Sequence, residues 1–229
     1  MRVLIVEDQS IVRDLLTKVC RAYLTAAQVV AADCVAQARS MLLKYRCTLM
    51  ILDIHLPDGD GFDFAKEARQ MTSNLKIIGI SADCSEYTVS RIFSSPLHAF
   101  LDKSSQSAAD LLQALQVVTV GKRYYSPAVT AVLRRLEAAP DSFIKILSRQ
   151  ETAILCKVGL GWSNAQIGTE LRIAPATVKW HCKELLHRLG LKDHAELIVY
   201  ANRKGFANLS SIMTVPNSPA DHRSRSGGW

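Results

Sequence analysis

The segment Leu49-Met-Ile-Leu-Asp53, followed by Ile54-His-Leu-Pro-Asp-Gly-Asp-Gly61, decides the fold of the first half of the chain. Four apolar residues lead directly to a carboxylate, and a proline and two glycines then end the run. A short apolar run bounded by turn residues predicts a strand buried on both faces, as in a parallel sheet covered by helices. Asp53 would then lie at the carboxyl end of that strand, where a buried charge needs a partner.

Strand-like and helix-like patterns alternate through residues 1–120. Five apolar strand patterns alternate with five helical patterns, which predicts a doubly wound parallel sheet with right-handed crossovers. The predicted strands are 2–6, 28–32, 48–52, 76–80 and 99–101, and the predicted helices are 11–20, 36–43, 62–71, 87–94 and 108–120. Ser10 is a plausible N-cap for the first helix.

Polar residues follow four of the predicted strands: Glu7 and Asp8, Asp53, Ser81 and Lys103. The carboxyl ends of the strands in such a sheet converge on one edge, so we expect these side chains to meet. Three carboxylates in one crevice repel unless a divalent cation neutralises them, and oxygen ligands favour Mg²⁺. Each residue alone also fits an ordinary role, such as helix capping or surface charge. Their coincidence favours phosphoryl transfer to Asp53, with the metal and Lys103 stabilising charge.

These motifs resemble the receiver domain of two-component response regulators, which implies a flavodoxin-like (βα)5 fold. The resemblance is carried by the acidic pair, the phosphoacceptor segment Asp53-x-x-Leu-Pro57-x-x-Asp60-Gly61, the hydroxyl of Ser81 and Lys103. It implies that a sensor histidine kinase phosphorylates Asp53.

The same resemblance assigns further roles. It implies that Asp8 and Asp53 bind Mg²⁺ directly, that Glu7 assists through water, and that the backbone carbonyl of His55 completes the site. Ser81 would move toward the phosphoryl group, and the aromatic ring of Phe100 would swing inward as the second part of the switch. A static core position for Phe100 is the alternative.

The net charge of +7 is concentrated in the second half of the chain. Residues 1–120 hold 12 Lys and Arg against 13 Asp and Glu, whereas residues 121–229 hold 16 against 8. A basic second half favours a polyanionic partner such as DNA, although an ordinary solvated surface is the alternative.

Residues 147–204 carry four helical patterns, and the middle pair is separated by the short turn Ile173-Ala-Pro175. Two short helices around a tight turn predict a helix-turn-helix. Gly161-x-Ser-Asn164-x-x-Ile167, Thr177-Val-Lys-x-His181 and Leu189-Gly190 resemble the LuxR type, and with the receiver they indicate the NarL/FixJ subfamily. The resemblance implies base contacts from Lys179, Trp180 and Lys183, and backbone contacts or capping by Ser163, Asn164 and Thr177.

The expected domains are a receiver at 1–120, a linker with a helix at 121–142, and a helix-turn-helix domain at 143–206. Residues 207–229 are expected to form a disordered tail. The last helix, expected at 195–203, often pairs two such domains in this subfamily, although its apolar residues would equally suit the core of one domain.

Composition narrows the class of protein further. Six cysteines without a CxxC pair predict neither disulfides nor a zinc site, and no apolar stretch is long enough to span a membrane. We therefore expect a cytoplasmic protein.

The sequence predicts a transcription regulator that binds double-stranded DNA, is switched by phosphorylation of Asp53 and forms a homodimer when phosphorylated. It turns over no external substrate and is not expected to be an enzyme. One alternative is a regulator that binds DNA independently of phosphorylation, with its receiver serving protein partners. Another is a stand-alone phosphoryl-transfer enzyme on the same sheet.

Overall fold

A computed structural model describes residues 1–24, 26–104 and 108–207. Strands and helices alternate through its first half, as predicted. The strands are β1 (Arg2–Val6), β2 (Gln28–Ala32), β3 (Leu49–Asp53), β4 (His55–Leu56), β5 (Gly59–Asp60), β6 (Lys76–Ser81), β7 (Ala99–Asp102) and β8 (Tyr124–Tyr125). The helices are α1 (Ser10–Tyr23), α2 (Val35–Tyr45), α3 (Gly61–Met71), α4 (Glu86–Ser90), continued by a 3-10 turn (Arg91–Ser94), and α5 (Ala108–Thr119).

The main sheet has the strand order β2-β1-β3-β6-β7-β8, and all neighbouring strands are parallel. The prediction of a doubly wound parallel sheet is confirmed. The chain runs outward from β1 to β2 and then crosses back to β3, so the strand order reverses beside β1 and β3. Loops after these two strands therefore diverge and leave a crevice at their carboxyl ends.

Alternate residues of the central strands face two separate apolar layers. Met50 and Leu52 of β3 belong to the layer that contains α2 and α3, whereas Leu49 and Ile51 pack with the layer that contains α1 and α5. All five residues of β3 are buried. Burial on both faces explains why this strand is an uninterrupted apolar run rather than an alternating one.

The second half is helical. Its helices are α6 (Pro127–Ala138), α7 (Phe143–Ile146), α8 (Arg149–Gly159), α9 (Asn164–Leu171), α10 (Pro175–Leu189) and α11 (His194–Lys204). Ser148 and Glu151 form a reciprocal capping box at the start of α8, which the Ser-x-x-Glu spacing in the sequence predicts. Gly190 ends α10 in the left-handed conformation, with φ at 66°, which costs glycine no steric strain.

Two local predictions were wrong, and one strand was not predicted. Ser10 is the first helical residue of α1, and the cap position is held by Gln9 without a side-chain hydrogen bond. The helix predicted at 87–94 is α-helical only at Glu86–Ser90, because the chain tightens into a 3-10 turn ahead of Pro96. Residues Tyr124–Tyr125, expected in a linker, add a sixth strand beside β7.

Two other expectations concern the C-terminal tail and the absence of a membrane span. The tail expected at 207–229 lies, from residue 208 onward, outside the described residues. Within the described ranges, no helix has the length and apolar character needed to cross a bilayer.

Gly61 controls how closely α3 approaches the end of β3. A Cβ at this position would lie 2.5 Å from the backbone oxygen of Asp53 and 2.6 Å from Cα of Ile54. Gly61→Ala is therefore expected to lower the free energy of unfolding by about 1–3 kcal/mol, measured by urea denaturation. Gly59→Ala is the control, since its Cβ would meet only a side chain, that of Val35 at 3.2 Å, and no backbone atom within 4 Å. Equal losses in both variants would contradict this close approach.

Candidate functional site

The five polar residues predicted at the strand ends lie around the crevice at the carboxyl edge of the sheet. Glu7 and Asp8 follow β1, Asp53 ends β3, Ser81 ends β6, and Lys103 follows β7. Glu7, Asp53 and Ser81 are buried, and Asp8 is exposed at the rim. Parallel strands bring these residues together although they are up to 96 positions apart in the chain.

Lys103 links the two buried carboxylates. Its Nζ lies 2.7 Å from Oδ2 of Asp53 and 2.7 Å from Oε2 of Glu7. Burial raises the pKa of Glu7 to about 7, and the hydrogen bond from Lys103 opposes this rise. Burial alone would lower the pKa of Lys103, but the attraction of Asp53 and Glu7 outweighs it and raises that pKa. The site therefore stabilises a cation between two carboxylates.

Glu7, Asp8 and Asp53 also form an acidic cluster. Each offers a carboxylate oxygen, and these oxygens all lie within 4.8 Å of one another. The backbone N–H of His55 donates to Oδ1 of Asp53 at 3.0 Å, so the loop after β3 folds back over the carboxylate. A set of oxygen donors on two strand ends suits a small, hard divalent cation such as Mg²⁺.

The hydroxyl of Ser81 connects this crevice to α4. Its Oγ lies 3.2 Å from Nδ1 of His55 and accepts a hydrogen bond from the backbone N–H of Asp83 at 3.0 Å. The carboxylate of Asp83 in turn accepts from the hydroxyl of Thr88 at 2.6 Å and from the N–H of Ser85 at 2.8 Å. A displacement of Ser81 would therefore act on the first turn of α4.

Phe100, the predicted switch aromatic, is fully buried. Its ring stacks on Phe62 with centroids 6.0 Å apart and planes inclined by 8°. Gly79 on the neighbouring strand makes room for it, since a Cβ there would lie 2.9 Å from the ring of Phe100. The ring of Phe100 therefore already points into the apolar core.

Helix α10 presents the predicted DNA-contacting residues on its solvent side. Lys179, Trp180 and Lys183 are exposed, Trp180 to 56%, whereas Val178 and Leu185 are buried against the rest of the domain. The ring of Trp180 packs edge-on against His181, with centroids 4.8 Å apart. This surface combines two cations with a large aromatic ring whose direction is restricted by its neighbour.

The smaller predicted DNA contacts have mixed environments. Ser163 forms a capping box with Gln166 at the start of α9, so its side chain serves the helix itself. Asn164 is half-buried as the first residue of α9, and Thr177 is exposed in the first turn of α10. Arg188 carries charge near the end of α10 but is paired with Glu151 at 3.0 Å, which makes its role structural.

A contact between α4 and the end of α11 was missed in the sequence. Lys204 forms an ion pair with Glu86 at 2.7 Å, and the ring of Phe206 stacks on Tyr87 with centroids 4.5 Å apart. Phe143 of α7 packs edge-on against the same Phe206. More than a hundred positions separate Glu86 and Tyr87 from Lys204 and Phe206 along the chain, so no local pattern could have indicated these two contacts.

Removal of the Lys103 charge is expected to destabilise the fold in a pH-dependent way. In Lys103→Met two carboxylates stay buried without their cation, and we expect a loss of about 3–5 kcal/mol at about pH 8 in a chelating buffer. The loss should be smaller at about pH 5.5, because the raised pKa of Glu7 lets the folded state bind more protons than the unfolded chain does.

Urea denaturation at both pH values measures this effect, with Lys66→Met on α3 as control, since Lys66 and its partner Asp63 are exposed. A loss of the same size at both pH values would contradict the assigned charge balance.

Comparison with known proteins matches both halves of the chain. Residues 3–116 match the model of the response regulator receiver domain, and residues 145–201 match that of bacterial regulatory proteins of the luxR family. The transcriptional regulatory protein LiaR of Bacillus subtilis is 26% identical over 211 residues, which covers 91% of this chain and 100% of LiaR. The Fimbriae Z protein of Escherichia coli K12 is 29% identical over 154 residues, 67% of this chain and 73% of that protein.

The fold is also similar to that of a solved structure. RcsB of Salmonella enterica serovar Typhimurium, bound to promoter rprA in the presence of phosphomimetic BeF3−, aligns with a TM-score of 0.61 at 22% identity. The alignment covers 89% of this chain and 98% of RcsB. The two matched family models account for most of the chain, in the same order as the two halves of the structure. The chain therefore belongs to the two-component response regulators of the NarL/FixJ type, in which a receiver domain is joined to a LuxR-type helix-turn-helix DNA-binding domain.

Proposed function

We propose that this protein is a cytoplasmic transcription regulator whose DNA binding is switched by phosphorylation of Asp53 by a sensor histidine kinase. The observation that carries the proposal is the environment of Asp53. Its carboxylate is buried at the end of β3, is held by Lys103 and the N–H of His55, and lies beside the acidic residues Glu7 and Asp8.

The chemistry is transfer of a phosphoryl group between two nucleophiles. An oxygen of Asp53 attacks phosphorus of the phosphohistidine on the kinase, an O–P bond forms, and the N–P bond breaks with its electron pair going to the imidazole. Lys103 and Ser81 would bind the outer oxygens of the group. Glu7, Asp8, Asp53 and the carbonyl of His55 would hold Mg²⁺, which when bound neutralises negative charge on the carboxylates and on the phosphoryl oxygens.

Helix α10 is the element proposed to enter the major groove. Lys179, Trp180 and Lys183 would contact base edges, and Thr177 with the start of α9 at Ser163 and Asn164 would face the DNA backbone. Pairing of two chains when phosphorylated would place two such helices on two half-sites. The basic balance of the second half supports this partner.

Regulation would act through the contact between α4 and α11. This contact leaves Lys179, Trp180 and Lys183 exposed, so it does not cover the DNA-binding surface directly. It instead holds the end of α11 against the receiver through Lys204 and Phe206. Phosphorylation would shift a pre-existing equilibrium toward a state in which the helical domain is released and can pair on DNA.

The proposed switch predicts that DNA binding responds to a mimic of the acyl phosphate. Sequences are first selected from random duplexes, and affinity is then measured with and without beryllofluoride and Mg²⁺. We expect the mimic to tighten binding at least about fivefold, the lower end of common coupling between two sites.

Asp53→Ala is the matched variant and should show no response to the mimic. Selective binding that is indifferent to the mimic in the wild-type protein would refute the switch. Failure to select any sequence in either state would refute DNA recognition.

The proposed DNA-binding surface predicts a specific loss in Lys179→Ala. We expect this variant to bind the selected duplex more weakly by about 1–3 kcal/mol and to relax preference at one base pair. Lys66→Ala, which removes an exposed lysine from α3 of the receiver, should bind as the wild type does. Equal losses in the two variants would indicate general charge attraction rather than contact by α10.

A further inference from the structure

The segment between Ser81 and Phe100 contains α4 and its 3-10 turn, and it ends at both predicted switch residues. Its first part is tied to the phosphoacceptor crevice, because the N–H of Asp83 donates to Oγ of Ser81. Its middle is tied to the helical domain through Glu86 and Tyr87. A movement that starts at Ser81 reaches the helical domain through this segment if the segment moves as one piece.

Arg91 fixes the far end of this segment to the receiver. Its two terminal nitrogens bind the two carboxylate oxygens of Asp60 at 2.6 and 2.7 Å, a bidentate geometry. Its guanidinium also lies over the ring of Phe62, 4.4 Å from the centroid. A quarter of the Arg91 side chain and a third of the Asp60 side chain remain exposed, so the pair is partly withdrawn from water.

The contacts of Arg91 form a continuous series. Phe100 stacks on Phe62, Phe62 lies under Arg91, and Tyr87 stands four residues before Arg91, one turn back along the segment. Tyr87 then stacks on Phe206 of the helical domain. The series runs from the predicted switch aromatic to the contact that holds α11.

We propose that Arg91 is the positioning residue that couples the phosphoacceptor crevice to the helical domain, a role that rests on the switch proposed above. With Arg91 bound to Asp60 and Phe62, one end of the segment is fixed. A pull at Ser81 then turns α4 about that end and moves Glu86 and Tyr87 relative to Lys204 and Phe206. Without this fixed end, α4 follows Ser81 without transmitting the movement, and its contact with α11 loosens.

The test compares DNA affinity with and without beryllofluoride in full-length Arg91→Met and in the wild type. Methionine keeps an unbranched apolar stem but removes the guanidinium, and with it both the ion pair and the contact over the ring of Phe62. We expect the ratio of the two affinities to collapse toward 1, through tighter binding without the mimic. The fluorine NMR signal of bound beryllofluoride shows that the crevice is loaded in each variant.

Three further variants separate the loss of the ion pair from a general loss of folding. Asp60→Asn removes the same pair from the other side while leaving an oxygen to cap α3, and it should reduce the ratio as Arg91→Met does. The double variant should add nothing to either single one, since the two residues act as a unit. Arg91→Lys should retain part of the change in DNA affinity caused by beryllofluoride, because lysine keeps the charge without the bidentate geometry.

Arg39→Met is the matched control, because Arg39 forms a similar two-point ion pair with Glu67 at 2.5 and 2.9 Å, between α2 and α3. In Arg39→Met the ratio of the DNA affinities with and without beryllofluoride should equal that of the wild type. A wild-type ratio retained in Arg91→Met and Asp60→Asn would overturn the proposal, even where both affinities fall together. A wild-type protein that does not respond to the mimic would instead remove the proposed switch, and the coupling with it.

Discussion

Glu7 and Asp53 are two buried carboxylates that share one cation, Lys103, and the geometry of the receiver depends on this arrangement. Neither carboxylate could stay charged in the crevice alone, because removing an isolated charge from water costs far more than packing returns. The arrangement joins the carboxyl ends of β1, β3 and β7. It also holds the carboxylate of Asp53 in a fixed position, which the proposed transfer of a phosphoryl group requires.

The same crevice is connected to the rest of the molecule through a short and irregular element. Helix α4 has only five residues before it continues as a 3-10 turn. Asp83, which binds Ser81 through its N–H, also accepts hydrogen bonds from Ser85 and Thr88 at the start of this helix. A long helix would hold its position by its own packing. A single turn depends instead on what is attached to its two ends, which suits an element that has to respond to a small displacement at one of them.

The sequence predicted the parts of the fold that local periodicity determines. The uninterrupted apolar run at 49–52 and the capping signature at Ser148 and Glu151 each predicted an element that the structure contains. The strand at Tyr124–Tyr125 was missed because two residues carry no periodicity, and its hydrogen bonds come from β7. The convergence of the polar strand ends followed from topology. The pairs Arg91–Asp60 and Tyr87–Phe206 did not, since both depend on how elements pack over long distances in sequence.

The contact between α4 and α11 has a strength that suits a switch. Its ion pair, Lys204 with Glu86, is partly exposed, with a third of the lysine side chain accessible, and such a pair contributes about 0–1 kcal/mol. The stack of Tyr87 on Phe206 adds about 0.5–1.5 kcal/mol beyond the area that it buries. In the proposed switch, a contact of a few kcal/mol would hold most molecules closed, and a ligand that favours the open state by a similar amount would reverse the population.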